Sequence, residues 1–165
     1  MEALREWLIP YIISNIVFVL SIVAAIKRPM WARMFLAGFF LWAAYLNSTL
    51  AIRSPGTYLT YATLNALPIY SRFINGFFAE HITVFVVTIA VGQFLITLGL
   101  MLNKIWVKLA CIGGIIFGLA IAPLGVGSAF PATVCMAIAF FILLKKYDHD
   151  FIWKLKQYKT TLFIP

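Results

Sequence analysis

Apolar residues fall along this chain in five long stretches, at about 8–26, 34–52, 82–102, 106–122 and 128–144, and the charges lie almost entirely between them. A helix crosses the hydrocarbon core of a bilayer in roughly 17–25 residues. The pattern therefore predicts an all-α, polytopic membrane helix bundle with five transmembrane helices. The 165 residues form one domain, 1–165, with no linker and no repeat. Breakers mark the ends of the stretches: Lys27-Arg28-Pro29, Ser54-Pro55-Gly56, Asn103-Lys104 and the glycine-rich turn from Pro123 to Gly127. Pro131 reads as a first-turn proline of the last span.

The segment 53–81 is too polar and interrupted to span, yet richer in aromatics than an ordinary loop. Tyr58, Tyr61, Leu64, Leu67 and Ile69 are spaced to line one face, and Tyr70, Phe73, Phe77 and Phe78 follow Pro68. Irregular backbone at membrane depth needs burial in protein or a wet cavity. This predicts a short amphipathic outer-surface helix, then a second short turn of helix leading into the third span. The tail, 145–165, interleaves Phe151, Trp153, Leu155 and Tyr158 with lysines, as an interfacial helix would.

Composition narrows the class further. A chain 64% hydrophobic exceeds what a soluble domain of this size can bury. The formal charge of +8 would suit nucleic acid in a soluble protein. Here the bases sit beside apolar spans, where they set topology and meet anionic headgroups, and no nucleic-acid role follows. Lys27, Arg28, Arg33, Lys104, Lys108, Lys145, Lys146, Lys154, Lys156 and Lys159 fall on one side of a five-span arrangement, against Arg5, Arg53 and Arg72 on the other. That asymmetry places the N-terminus outside and the C-terminus in the cytoplasm, in a bacterial cytoplasmic membrane. Trp7, Trp31 and Trp106 stand near span ends, where an amphipathic ring suits the interface. The first stretch ends in Ala24-Ala25, so cleavage after Ala25 is conceivable, but Glu2 and Glu6 spoil the basic start of a secretory signal. Retention of the first helix fits the charge topology better.

Chemistry is sparse. Cys111 and Cys135 lie within spans with no Cys or His at ligand spacing, so neither a disulfide framework nor a metal site is expected. There is no Gly-x-Ser-x-Gly turn and no HExxH, and the two histidines, His81 and His149, fall on opposite sides of the membrane. No catalytic residue is assigned, and an enzyme acting alone is not expected. Polar groups within or beside the bilayer are costly and mark candidate sites. Gln93 is mid-span in the third stretch, and Asn47 and Asn15 lie in the outer halves of the second and first. Gln93 has two readings, an interhelical hydrogen bond to Asn47 or Asn15, and contact with a ligand carbonyl or hydroxyl. Glu80 is the only acid between residues 7 and 147 and shares the outer side with His81, Arg53 and Arg72. An ion pair pinning the outer segment is one reading, and an outward polar pocket in which His81 or Glu80 exchanges protons is the other. Gly114-Ile-Ile-Phe-Gly118 permits close backbone approach, within the chain or in a homo-oligomer.

Arg33-Met-Phe-Leu-Ala-Gly38 matches an Arg-x-x-x-x-Gly opening, and Ala90-Val-Gly-Gln93-Phe-Leu-Ile-Thr97-Leu-Gly-Leu100 follows the outer segment, with two more spans around a glycine-rich turn. In these features the chain from about Arg33 onward resembles the DoxX-like family of small bacterial membrane proteins. Gln93 stands where that family usually has an acid, and Thr97 where it has glycine. The resemblance implies a four-helix core, to which residues 8–26 add an N-terminal span. It places the protein near quinone or lipid chemistry, because the family takes its name from a thiosulfate:quinone oxidoreductase subunit. No cofactor is evident in the residues, and a quinone is the one the resemblance admits.

The reading that results is a non-catalytic module binding a lipid, a quinone or a partner membrane or periplasmic subunit through an outer-leaflet pocket. Tyr58, Tyr61, Tyr70 and the neighbouring phenylalanines form its wall, and Asn47, Arg53, Arg72, Glu80, His81 and Gln93 its polar contacts. The alternatives are a membrane subunit of a quinone-linked oxidoreductase, which requires a bound quinone and a partner, and a small-molecule transporter. The scarcity of ionisable groups in the spans argues against the last.

Overall fold

A computed structural model describes residues 2–64 and 67–146, with side chains described from residue 8 to residue 145; the predicted interfacial helix of the tail lies outside them. Every regular element among the described residues is helical: α1 (Glu2–Lys27), α2 (Pro29–Arg53), α3 (Tyr61–Leu64), α4 (Pro68–Phe73), α5 (Ile82–Met101), α6 (Ile105–Ile121) and α7 (Ala132–Lys146). Tight 3-10 turns, Pro55–Thr60 and Ala122–Ser128, precede α3 and α7, and a π turn, Ile74–Phe78, precedes α5. By length and apolar composition, four helical segments are able to cross a membrane: Leu8–Lys27, Pro29–Arg53, Ile82–Met101 and Ile105–Ser128. Large apolar side chains such as Leu20, Leu95 and Ile116 point outward, as they do where the surroundings are hydrocarbon.

The fifth apolar stretch differs from expectation. α7 has 15 residues, about 22 Å at 1.5 Å per residue, against a hydrocarbon core of about 30 Å. Its start moves to Ala132 because residues 122–128 are consumed by the 3-10 turn, in which Gly125 has φ 63°, a value glycine adopts without steric cost. Pro131 lies outside the helix, its carbonyl accepting from the amides of Val134 and Cys135. The segment 53–81 is also more helical than expected, with two short α-helices, a 3-10 turn and a wider π turn where one surface helix and one turn were anticipated.

The long helices contact one another in a circuit: α1 against α2, α2 against α5, α5 against α6, α6 against α7, and α7 back against α1. Its centre is aromatic. Phe40 of α2 meets Phe117 of α6 at 5.6 Å and Phe140 of α7 at 5.5 Å, both edge to face, the arrangement that ring quadrupoles favour. Elsewhere small residues set the spacing. Ala37, Ala44 and Ala51, seven apart on α2, are buried on the side where that helix meets α5. A side chain at Gly99 would come within 2.8 Å of Ala110 on α6, and one at Gly118 within 2.8 Å of the Thr133 carbonyl on α7. Gly114 faces the ring of Phe140. The Gly114/Gly118 face is therefore packed against α7 within one chain.

A ladder of polar contacts runs the length of the antiparallel α2–α5 seam. Thr83 donates to the Ala51 carbonyl (3.0 Å), Asn47 to Gln93 (2.9 Å) and Thr97 to the Ala37 carbonyl (3.3 Å). Arg33 closes the far end by donating to the carbonyls of Leu100 and Leu102. Sequence pattern put Arg33 in the first loop. In the structure, Pro29 occupies the first turn of α2 directly after the Lys27-Arg28 break, so the helix begins one turn earlier and Arg33 is 0% exposed. A proline costs nothing at that position, since its missing N–H has no intrahelical partner there. The last carbonyls of a helix lack N–H partners and carry the negative end of its dipole, and a guanidinium fork satisfies two at once. With Arg33 removed from the loop count, nine bases are left on that side of the expected arrangement against three on the other.

Candidate ligand-binding site

Where α2 ends and α5 begins, the short helices fold back over the long ones and form a half-open cavity of about 370 Å³, the scale of a small-molecule site. Tyr58, Tyr61, Tyr70 and Phe73 come from the overlying turn and helices, with Ile74 and Phe78 from the π turn. Asn47, Val86 and Ile89 supply the floor from α2 and α5, and Phe117, Ala120 and Ile121 of α6 form the opposite wall. The turn before α7 completes it with Leu124, Gly127 and Ser128. Gly127 is required by contact: a side chain there would run into the Tyr61 ring.

The cover is held by hydrogen bonds. The Tyr70 hydroxyl donates to the Ala120 carbonyl of α6 (3.0 Å), which fastens α4 across the cavity, and Ser71 donates to the Ala62 carbonyl (2.9 Å), joining α4 to α3. Tyr58 donates to the side-chain oxygen of Asn47 (2.9 Å), and Asn47 donates to the side-chain oxygen of Gln93 (2.9 Å). This relay leads from the cavity into the α2–α5 seam. It realises the interhelical partnership expected of Gln93, with Asn47 and not Asn15 as the partner. Asn15 instead donates to the carbonyls of Tyr11 (2.9 Å) and Ala129 (3.2 Å), tying α1 to the turn before α7. Replacing Asn47 by leucine and Gln93 by leucine, singly and together, should show a coupling of about 1 kcal/mol in a double-mutant cycle of thermal unfolding.

Burial pushes the Tyr58 hydroxyl up to about 12, with Tyr61 beside it adding to the rise, and burial raises Tyr61 in the same direction. Both rings are neutral at physiological pH. A raised folded-state value means that their contribution to stability is complete below the ordinary tyrosine value near 10 and is lost as pH climbs toward 12. Alkaline titration followed by tyrosinate absorbance should therefore show late-ionising tyrosines. Tyr58→Phe should flatten the fall in thermal stability above pH 10.

The charged candidates are elsewhere. Arg53, Arg72, Glu80 and His81 are all exposed, and none lines the cavity. Glu80 and His81 border a shallow open depression with Pro55 and Thr83, and a His81 ring nitrogen lies 3.1 Å from the Phe77 carbonyl. The ion pair expected between Glu80 and Arg53 or Arg72 is not formed among the described residues. Arg53 is the last residue of α2, and Arg72 lies on the outward side of a two-turn helix whose other side carries Tyr70 and Phe73 to the cavity. The cavity is thus polar through hydroxyls and amides alone. Sequence reasoning missed Phe117 and the 124–128 wall. The glycine-rich turn was legible as a turn, but its contact with Tyr61 joins residues more than sixty apart.

A second concavity, about 670 Å³, runs between α5 and α6 and is lined almost wholly by apolar atoms, with the Gln93 amide and the Trp106 indole as its polar side-chain groups. It meets the first at Ile89, Phe117 and Ala120. Among the described residues no group of three or more His, Cys, Asp or Glu side chains could hold a metal ion.

No known family matches this sequence, and neither a curated protein nor a solved structure is detectably similar to it.

Proposed function

We propose that this protein is an integral membrane binding module, non-catalytic by itself, whose tyrosine-walled cavity takes the uncharged head of a membrane-soluble molecule, a lipid or a quinone. The observation that carries this reading is the cavity's lining: three tyrosines, one asparagine and one serine among apolar walls, with no charged side chain. A buried site without charges discriminates against anionic headgroups, which would lose hydration with no counter-charge to replace it. Hydroxyls and amides suit carbonyl, ester or hydroxyl groups on the ligand. In this reading α7 completes a fifth crossing with the help of the turn before it, the N-terminus lies outside, and the cavity opens in the outer leaflet of a bacterial cytoplasmic membrane. The DoxX-like resemblance belongs to the same reading, with α2, α5, α6 and α7 as the family core and α1 as an addition. A quinone in the site would in turn favour a role as a subunit of a quinone-linked oxidoreductase.

Native mass spectrometry of the detergent-purified chain, followed by solvent extraction, tests this. A retained uncharged lipid or quinone, lost from Tyr61→Ala, is the expected result. Retention of anionic phospholipid that is indifferent to Tyr61→Ala would exclude the cavity as the binding site.

A further inference from the structure

The hydrogen bonds around the tyrosine-walled cavity have a direction as well as a position. Tyr58 gives its proton to the Asn47 side-chain oxygen at 2.9 Å, with the Asn47 backbone carbonyl a weaker acceptor at 3.4 Å. Tyr70 gives its proton to the Ala120 carbonyl (3.0 Å), and Ser128 gives its own to the Gly125 carbonyl (3.1 Å). All three side chains line the cavity. A hydroxyl has one proton and two lone pairs. With their protons committed inside the protein, these three oxygens are acceptors for whatever enters. Asn47 supplies the complement. Its amide has two N–H groups and gives one to Gln93, and among the described residues the other has no partner.

Resting on the reading of this cavity as a head site, we propose that the head it takes is an alcohol, a hydroxyl that donates to Tyr58 and accepts from Asn47 while its apolar body packs on the aromatic walls. Chained hydrogen bonds strengthen one another. Donation to Asn47 makes the Tyr58 oxygen a better acceptor, and acceptance from Tyr58 makes the Asn47 N–H groups better donors. The pair therefore presents a matched acceptor and donor side by side. A ketone, an ester or an ether has no proton to give. It accepts from Asn47 but sets its own lone pairs against those of the Tyr58 oxygen, which loses the water that donated to it. A hydroxyl replaces that water in both senses. No lysine, arginine or histidine lines the cavity to hold a phosphate, so the alcohol belongs to a neutral amphiphile.

Asn47 sets this polarity, and its removal should reverse it. In Asn47→Leu the second donor is gone and the Tyr58 proton loses its acceptor. The backbone carbonyl at 3.4 Å lies beyond the usual O–H···O range, so the proton turns toward the ligand. A ketone then gains what the alcohol loses. Gln93→Leu is the control, because it leaves the bond from Tyr58 to Asn47 in place.

The test uses three photoprobes of equal chain length, decanol, its methyl ether and the matching methyl ketone, each with a diazirine in the chain. Saturable labelling of residues 58–78 on the purified full chain in detergent is followed by mass spectrometry. The alcohol should half-saturate at about tenfold lower concentration than the ether or the ketone. That preference should persist in Gln93→Leu and collapse in Asn47→Leu through a gain by the ketone. Equal affinities in the parent protein, or a preference for the ketone, overturn the alcohol assignment while leaving the cavity as a head site. An unchanged preference in Asn47→Leu also overturns it, since the Tyr58–Asn47 pair is then not what reads the hydroxyl. The parent series is decisive by itself if Asn47→Leu folds poorly. If no probe labels the cavity walls, the cavity reading fails and this inference fails with it.

Discussion

Arg33→Met is expected to lower the stability of the protein by about 3 kcal/mol, although hydropathy and charge pattern group that arginine with the other bases of the first loop. The magnitude follows from what is left behind. Arg33 is 0% exposed and donates to the carbonyls of Leu100 and Leu102 at the end of α5. Hydrogen bonds from a charged donor contribute about 1.5–3 kcal/mol each, and methionine fills much of the space while satisfying neither carbonyl. Part of that loss is recovered if the end of α5 moves to meet water or headgroups, which is why the expectation sits near the value of one such bond and not two. Arg33→Lys should fall between, because an ammonium on a flexible stem lacks the planar fork that reaches both acceptors. The measurement is the unfolding midpoint in detergent, by fluorescence or by loss of the monodisperse chromatographic peak. A methionine variant as stable as the parent would mean that the α5 terminus is satisfied without the arginine.

Gly127→Val should abolish ligand binding, by thirtyfold or more, with a much smaller effect on stability. The added side chain occupies the place of the Tyr61 ring, which then swings into the cavity and fills the space a ligand head needs. Overpacking a closed core costs about 1–3 kcal/mol. Here the ring has an open cavity of about 370 Å³ to move into, so the strain is relieved at the expense of the site. Saturation of labelling by the decanol probe reads the effect directly. Gly92→Phe is the matched control, since it alters the groove and leaves the cavity walls in place. Undiminished binding in Gly127→Val would move the site away from the tyrosines.

Gly114 carries a related lesson about glycines that look alike in sequence. The Gly114-x-x-x-Gly118 spacing announces close helix approach but not the identity of the partner. The Phe140 ring and the Thr133 carbonyl show the partner to be α7 of the same chain. Gly125 and Gly127 sit two residues apart in one turn and serve different ends. Gly125 adopts a positive φ, and Gly127 makes room for a ring from a distant helix.

The candidate site was legible in part, and the division is physical. Tyr58, Tyr61 and Tyr70 could be chosen from sequence because an aromatic-rich, interrupted segment between apolar spans has few places to bury its rings except against the helix ends. Asn47 and Gln93 could be chosen because a polar amide within an apolar span needs a partner, and across an antiparallel helix pair the partner is another amide. Arg53, Arg72, Glu80 and His81 were drawn to the same site by shared sidedness, which sequence does report. Whether a charge faces a cavity or solvent depends on helix phase, and in a segment of short helices and tight turns that phase changes every few residues.

Periodicity and composition by themselves determined the helical class, the long apolar stretches (five expected, four of them long enough in the structure to span a membrane), the turn positions and the end of the helices at which the aromatic cover lies, because each is a local consequence of hydropathy and breakers. Tertiary structure alone decided that Arg33 leaves the loop to cap α5, that α7 occupies the Gly114/Gly118 face, and that the tyrosine cavity carries no charged side chain. Those outcomes depend on which helix lies beside which, and on side chains sixty or more residues apart meeting within a few ångströms, a relation that no local pattern of apolar and polar positions encodes.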